Sequence, residues 1–210
     1  MPVLAYCIAP QHPIQGIPPG GHGAKVESFD SAGVRCYFSS HSEFATSPES
    51  LQPAALSYHA VVQHIFGYAT VIPFRFPTLF ESAAELREKV AERAAEYESA
   101  LARVTGKVQM EVNIRTKTGD ISRESGTEYL RDRQSVFAQT RQVAEQAHQA
   151  VGDLAQDWRE RNLPDRLQCF ALLARGAEND FVARLSTVAV PSRVECRIVG
   201  PWPPSEFLDM

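Results

Sequence analysis

One stretch decides the fold of this chain: SAAELREKVAERAAEYESALARVTGKVQMEVNIRT, residues 82–116. Its first part carries apolar residues at intervals of three and four, which predicts an amphipathic helix over residues 82–105. Ser82 and Glu85 have the spacing of a capping box, in which a hydroxyl and a carboxylate satisfy amides of the first turn. Gly106 is suited to end the helix, because glycine readily adopts the left-handed conformation found at that position.

The second part of the stretch changes to the pattern of a strand. VQMEVNIRT, residues 108–116, alternates well enough for a strand with one solvated face. Because the helix ends here and a new pattern begins with a strand, we predict a domain boundary near residue 106. We therefore expect an N-terminal α+β domain, residues 1–106, and a C-terminal α+β domain, residues 107–210.

Strand and helix patterns lie on both sides of this stretch. Upstream, a helix is predicted at residues 53–66 and strands at residues 2–9, 25–29, 34–39 and 68–76. Downstream, the predicted elements are a long helix at 127–161, a strand at 167–174, a short helix at 178–188 and a strand at 194–199. Gly152 disfavours helix, so a kink or a break into two helices there is the alternative. The order from residue 108 is strand, helix, strand, helix, strand, which fits a modified ferredoxin-like sheet with long helices. The predicted fold class is α+β, in two lobes.

Composition argues against several classes of protein. The chain has 210 residues and a net charge of -4, without the basic excess of a general nucleic-acid binder. No apolar run approaches the length of about 18 residues that a membrane span needs. The four cysteines form no CxxC pair, and the first residues lack the pattern of a signal peptide. We expect a reduced, cytoplasmic protein that binds neither nucleic acid nor membrane.

The sequence offers no pattern for catalysis or for a bound cofactor. Neither a GxSxG nor a cysteine–histidine signature occurs, and the glycine-rich IPPGGHG, residues 17–23, lacks the spacing of a phosphate loop. His59 and His64 are five positions apart, which is off the helical rows that converge on a metal ion. We expect no catalytic residue, no metal and no cofactor, and hence no enzyme.

Arg75 is the most informative charge, because it lies in the apolar run VIPFRFPTLF. A guanidinium buried there needs a partner, and Glu111, a carboxylate within a predicted strand, is a candidate for a structural ion pair. The alternative is an arginine that faces a partner protein beside Phe76, since arginine and aromatic residues are frequent in interface hot spots. Pro73 and Pro77 predict that this strand is irregular or lies at a sheet edge.

The C-terminal segment GPWPPSEF is the other unusual feature. Trp202 is a large apolar anchor, and Pro203 and Pro204 stiffen the chain into an extended form. We expect this tail to be ordered, with Trp202 mostly buried and Phe207 close to the N-terminal domain. The alternative is a peptide-like element that another protein binds.

These segments resemble the gas vesicle protein F/L family (GvpF/GvpL). The tail GPWPPSEF is similar to that family's closing Gly-Pro-Trp-Pro-Pro stretch. YHAVVQHIFGYATVIPFRFPTLF, residues 58–80, looks like its His-initiated helix followed by a V-L-P-x-R-F-G-T strand. Weaker similarities are the opening residues 5–8, the strand around Glu111 and the segment 126–131. The matches occur in family order and span nearly the whole chain.

The resemblance implies a non-enzymatic accessory or minor structural protein of gas vesicle assembly. It implies two domains, the second with a modified ferredoxin fold, and a cytoplasmic location at the vesicle. The implied partners are the hydrophobic major shell protein and other gas vesicle accessory proteins. The residues expected at a partner interface or in a structural motif are Arg75, Phe76, Glu111, Trp202, Pro203, Pro204 and Phe207. A small-molecule-binding or regulatory ferredoxin-like domain is the alternative, because a fold by itself does not fix a function.

Overall fold

The computed structural model describes residues 1–45, 47–117 and 126–208, with side chains from residue 137 onward in the helix that begins at Gly126. The chain divides into two compact units. The first contains Met1–Gly106 together with the tail that begins at Pro203, and the second is Lys107–Trp202. The tail thus groups with the N-terminal residues. That the two units fold as separate domains stays a prediction.

Within the described residues, the first unit is a four-stranded antiparallel sheet with three α-helices. Its elements are β1 (Val3–Pro10), β2 (Val26–Ser31), β3 (Val34–Ser40), α1 (Pro48–Tyr68), β4 (Ile72–Phe80), α2 (Ala83–Glu92) and α3 (Ala94–Val104). The strand order is β2-β3-β1-β4, so the buried strand β1 lies inside the sheet and β4 lies at an edge. The edge position predicted from the prolines of β4 is confirmed.

α2 and α3 replace the single helix predicted over residues 82–105, so that prediction was wrong about continuity. The chain leaves helical dihedrals at Arg93, where φ is -113° and ψ is 11°. The apolar stripe continues across this break, with buried residues in both helices, so its spacing gave no sign of the interruption. The start of the helix is as predicted, since Ser82 Oγ accepts from the Glu85 N–H at 3.2 Å.

α1 and β4 are displaced from their predicted positions. α1 begins at Pro48 and continues to Tyr68, beyond both ends of the predicted 53–66. Proline is favoured in the first turn of a helix, because its missing N–H is not needed there, and Pro48 has that role. Because the helix is longer, β4 begins only at Ile72.

Within the described residues, the second unit is a four-stranded antiparallel sheet with two α-helices. Its elements are β5 (Lys107–Thr116), α4 (Gly126–Val151), β6 (Asp157–Asn162), β7 (Arg166–Ala174), α5 (Glu178–Leu185) and β8 (Val194–Trp202). The strand order in the sheet is β6-β7-β5-β8. The chain order of strand, helix, strand, strand, helix, strand is that of a ferredoxin-like unit. The predicted fold class, α+β, is confirmed.

The predicted helix over residues 127–161 ends at Val151, next to Gly152, where the sequence left a break open. A strand, β6, and not a second helix follows, so the prediction was wrong for the residues of β6. The carbonyl of Val151 accepts from the amides three and four residues later, both at 2.9 Å, and the chain then turns. Trp158 continued the helical spacing in the sequence but lies on β6, where its ring stacks on that of His148 with 4.7 Å between centroids. The missed strand completes the ferredoxin-like order.

The tail completes the core of the first unit. That core consists of buried side chains of β1, β3, β4, α2 and α3, and Leu208 packs against it. Pro203 and Pro204 are buried, and the short turn Ser205–Phe207 follows them. Phe207 is only 5% exposed. As expected from the sequence, the tail is an ordered segment that lies with the N-terminal residues.

We expect Phe207→Ala to lower the free energy of unfolding by about 3–5 kcal/mol, because it leaves a cavity beneath the tail. Leu56→Ala is the matched control, since Leu56 is 67% exposed on α1, and its effect should stay within about 0.5 kcal/mol. Urea titration followed by circular dichroism measures both. Equal stability of the two variants would show that the tail contributes nothing to the core.

Candidate functional site

The edge strand β4 departs from regular pairing at the segment that contains Arg75. On β1, only Tyr6 separates the two residues that lie opposite Pro73 and Thr78. On β4, four residues lie between Pro73 and Thr78, so Tyr6 alone faces all four. These four residues, FRFP at positions 74–77, are called the β4 bulge below. Bulges are frequent at sheet edges and next to functional sites, because they redirect side chains and end strand pairing.

Tyr58 of α1 holds the β4 bulge against the sheet. Its buried hydroxyl donates to the carbonyl of Tyr6 at 2.9 Å and also reaches the carbonyl of Phe74. These carbonyls belong to the two strands whose regular pairing is interrupted, so the hydroxyl takes the place of a ladder amide. The Tyr58 ring contacts the rings of Tyr6 and Phe76, with centroids 5.5 and 5.2 Å away. Burial raises the pKa of Tyr58, which keeps its hydroxyl protonated as a donor.

Arg75 is exposed on the β4 bulge. Its guanidinium forms no ion pair with any residue that the structure describes, and its carbonyl accepts from the Thr78 hydroxyl. Phe74 and Phe76 on either side are half-buried. The predicted buried guanidinium is therefore wrong, because the bulge carries Arg75 out of the apolar run in which its neighbours are buried.

Glu111 is bonded within its own sheet. Its Oε1 accepts from Asn113 Nδ2 at 2.7 Å and from Gln168 Nε2 of the neighbouring strand β7. The ion pair expected with Arg75 is thus replaced by two amide donors on the same face of the sheet. These amides satisfy one carboxylate oxygen without a second charge.

A polar groove of about 180 Å³ lies beside this carboxylate on the face of the second sheet. It is lined by Glu111, Asn113, Arg115, Arg166, Glu195, Arg197 and Val199. The ion pair between Arg115 and Glu195, with nitrogen and oxygen 3.0 Å apart, crosses it.

Trp202 is the last residue of β8 and lies opposite Gln109 of β5. Most of its surface is buried, as predicted, and the remainder is exposed. β8 lies at the edge of its sheet, so the Trp202 indole has a neighbouring strand on one side only. The predicted site residues therefore fall into three groups. These are the β4 bulge with Arg75 and Phe76, the second sheet with Glu111 and Trp202, and the tail with Pro203, Pro204 and Phe207.

A buried serine–histidine contact in the first unit belongs to a hydrogen-bonded cluster that has a structural role. Ser39 Oγ lies 2.8 Å from His41 Nε2 and 2.7 Å from the Tyr6 hydroxyl, and all three groups are buried. The Tyr6 hydroxyl also accepts from the Gly21 N–H at 2.9 Å. A Cβ on Gly20 would lie 1.9 Å from that hydroxyl, so glycine is required at this position. The glycine-rich loop therefore closes over a tyrosine.

The described residues contain no group of three or more histidine, cysteine, aspartate or glutamate side chains that could hold a metal ion. Among the helices of residues 47–117 and 126–208, none is long and apolar enough to cross a membrane.

Sequence reasoning missed Tyr58 and Tyr6, which position the β4 bulge. A signal for Tyr58 was present: it shares helical spacing with Val61, Val62 and Ile65, all of which are buried. A buried tyrosine usually needs a hydrogen-bond partner, and that requirement could have been read from the spacing. The partner itself could not, because it is a carbonyl of the distant residue Tyr6.

These observations define an α+β protein of two units, the second ferredoxin-like, whose candidate functional surface is a bulged strand edge. The sequence profile of a family described as Gas vesicle synthesis protein GvpL/GvpF matches residues 2–209. This chain belongs to that family, as the sequence resemblance predicted.

Two solved structures are similar to this one. Gas vesicle protein GvpF from Anabaena sp. PCC7120 has a TM-score of 0.82 and 14% sequence identity, over 100% of this chain and 96% of that one. GvpF from Microcystis aeruginosa has a TM-score of 0.79 and 13% identity, over 100% of this chain and 99% of that one. At such identities the likeness concerns the fold. Among curated protein sequences, none matches this chain.

We expect Tyr58→Phe to lower the free energy of unfolding by about 1–3 kcal/mol, because the buried carbonyl of Tyr6 loses its donor. Tyr68→Phe is the matched control, since Tyr68 lies on the same helix and is 67% exposed. Thermal and urea unfolding measure the difference, and faster hydrogen exchange in β4 should accompany it. A Tyr58→Phe variant as stable as Tyr68→Phe would contradict the assigned role of the hydroxyl.

Stability should fall on mild acidification because of His41. Burial, and then the neighbouring His22, hold the pKa of His41 below its ordinary value of 6.5. The unfolded chain therefore binds the proton more readily, so the free energy of unfolding decreases as the pH falls from 6.5 towards the folded-state pKa. Urea titrations between neutral and mildly acidic pH measure this slope.

The control for this slope is His12→Gln, which changes an exposed histidine and should leave the slope intact. His41→Gln should flatten it. An unchanged slope in His41→Gln would assign the pH dependence to another group.

Proposed function

We propose that this protein is a non-enzymatic accessory or minor structural protein of gas vesicle assembly that binds the hydrophobic major shell protein. Membership of the gas vesicle synthesis protein family supports a role in vesicle formation. Other gas vesicle accessory proteins are further proposed partners. The proposed place of action is the cytoplasm, at the growing vesicle.

The β4 bulge is the observation that carries this proposal. It presents the exposed Arg75 between the half-buried rings of Phe74 and Phe76. Arginine and large aromatic residues contribute most of the affinity at many protein interfaces. Since the guanidinium forms no ion pair with a described residue, a partner can bind it without breaking an existing pair.

The surroundings of Arg75 favour an apolar partner. Leu79, on the same strand, is 38% exposed, so apolar surface continues along β4. A hydrophobic polypeptide could cover the phenylalanines and Leu79 while a carbonyl or carboxylate accepts from Arg75.

The second candidate is a small-molecule-binding or regulatory ferredoxin-like domain, and the polar groove beside Glu111 favours it. Pockets for drug-sized ligands occupy about 300–1,000 Å³ and are mostly apolar. The groove has about 180 Å³ and is lined mostly by charged side chains, so it is smaller and more polar than such pockets. Binding of shell protein is therefore the better-supported function.

The test is capture of the major shell protein, and of the other gas vesicle proteins, by the purified full chain. We expect Arg75→Ala to weaken capture of shell protein about tenfold or more, the loss typical of a hot-spot residue. Its free energy of unfolding should stay within about 0.5 kcal/mol of the parent, because the side chain is exposed.

Arg103→Ala is the matched control, since Arg103 is another exposed arginine of the first unit, and it should capture normally. Full capture by Arg75→Ala would reject the β4 bulge as the binding surface. Failure of the parent chain to capture any shell protein would reject the proposed function itself.

A further inference from the structure

The edges of the two sheets differ in how well they resist pairing with another strand. β4 is interrupted by its bulge and by two prolines, while β2 and β6 have only six residues each and carry charges. These are known protections against edge-to-edge association. β8 has nine residues; its register against β5 shifts between Val199 and Trp202, where its one proline lies, and residues 194–199 pair without interruption. No described backbone group pairs with residues 195–200 on the side away from β5, which leaves a row of free donors and acceptors.

β8 also leaves apolar side chains incompletely covered. Cys196 lies opposite Ile114 and Ile198 lies opposite Val112. The two β5 residues are fully buried, whereas the two β8 residues are partly exposed. A further strand beside β8 would cover both and extend the apolar face of the sheet.

The other face of β8 is charged. Glu195 pairs with Arg115 of β5. Arg197 is exposed, and its guanidinium forms no ion pair with any residue in the described ranges. A strand added at this edge is therefore expected to bring a carboxylate opposite Arg197.

The sequence of β8 supplies that carboxylate itself. In VECRI, residues 194–198, an acidic residue directly precedes Cys196 and a basic residue directly follows it. The segment is therefore complementary in charge to a second, antiparallel copy of itself. If two copies pair antiparallel about Cys196, Glu195 of one lies opposite Arg197 of the other, and two-fold symmetry repeats the contact. Val194 and Ile198 then lie opposite each other on the second face. Opposite charges directly across an antiparallel pair stabilise it, and like charges destabilise it.

We propose that the protein forms a two-fold dimer through β8, in which the second-unit sheets of two copies join edge to edge. Each Glu195 then lies between Arg115 of its own chain and Arg197 of the other copy. Cys196 is covered by Cys196 of the second copy, and Ile198 by Val194 of the second copy. This dimer does not depend on binding of shell protein, because its contacts come from the second unit and the β4 bulge belongs to the first.

A charge swap tests the dimer. Arg197→Glu and Glu195→Arg each place like charges opposite one another, so each variant should dissociate about tenfold more readily than the parent chain. An equal mixture of the two variants should recover the dimer, because an all-acidic edge then faces an all-basic one. Sedimentation of the full chain over the micromolar range measures all of these states. Arg103→Glu, with the same change of charge in the first unit, is the matched control and should dimerise normally.

Oxidation provides a second readout. Directly opposite Cα atoms in an antiparallel pair are about 4.5–5.5 Å apart, within the range of a disulfide. Cys7, Cys36 and Cys169 are buried, so Cys196 is the most accessible thiol. Copper-phenanthroline, which takes two electrons while two thiol protons leave, should link two chains through Cys196. Cys196→Ser should abolish the link and leave the sedimentation unchanged.

Three outcomes overturn the proposal. The first is a parent chain that sediments as a monomer throughout the micromolar range. The second is a dimer that survives both charge reversals, because it would use another surface. The third is a mixture that stays monomeric while each variant unfolds at the temperature of the parent, because β8 would then pair with something other than itself.

Discussion

The buried hydroxyl of Tyr58 is the contact on which the edge of the first sheet depends. It joins α1 to the backbones of β1 and β4 at the point where these strands no longer bond each other. An interrupted ladder normally leaves buried polar groups without partners, which is costly in a protein interior. Here the Tyr58 side chain supplies the missing hydrogen-bond partner. The irregular segment FRFP can therefore persist in an otherwise regular sheet and keep Arg75 exposed.

Local sequence patterns predicted the features that depend on local physics. The cap at Ser82, the edge position of β4 and the α+β class all follow from hydroxyl spacing, proline chemistry and periodicity. The local patterns gave wrong predictions where the pairing of distant segments decides the structure. Trp158 continued a helical spacing by coincidence, and only pairing with β7 makes its segment a strand. Arg75 looked buried because its neighbours are apolar, while its exposure follows from the register of β4 against β1.

The two sheets have the same number of strands, but their edge strands β4 and β8 differ in structure. In the first, the edge strand β4 is disrupted, and its irregularity creates a surface with an arginine and aromatic rings. In the second, β8 pairs with β5 in continuous register from Val194 to Val199, and the backbone groups of this segment are the available surface. An irregular edge selects partners by side chains, whereas a regular edge selects them by strand register. The two units therefore differ in the kind of surface that they offer to a partner.

The position of the tail has a consequence for biosynthesis. Leu208 and Phe207 complete a core that otherwise consists of residues 1–106, yet they follow the whole second unit in the chain. Domains generally fold in the order in which the ribosome produces them. The first unit must therefore wait, with an apolar patch uncovered, until the second has been translated. During that interval the nascent chain presents a surface that chaperones can recognise, and the arrival of the tail withdraws it.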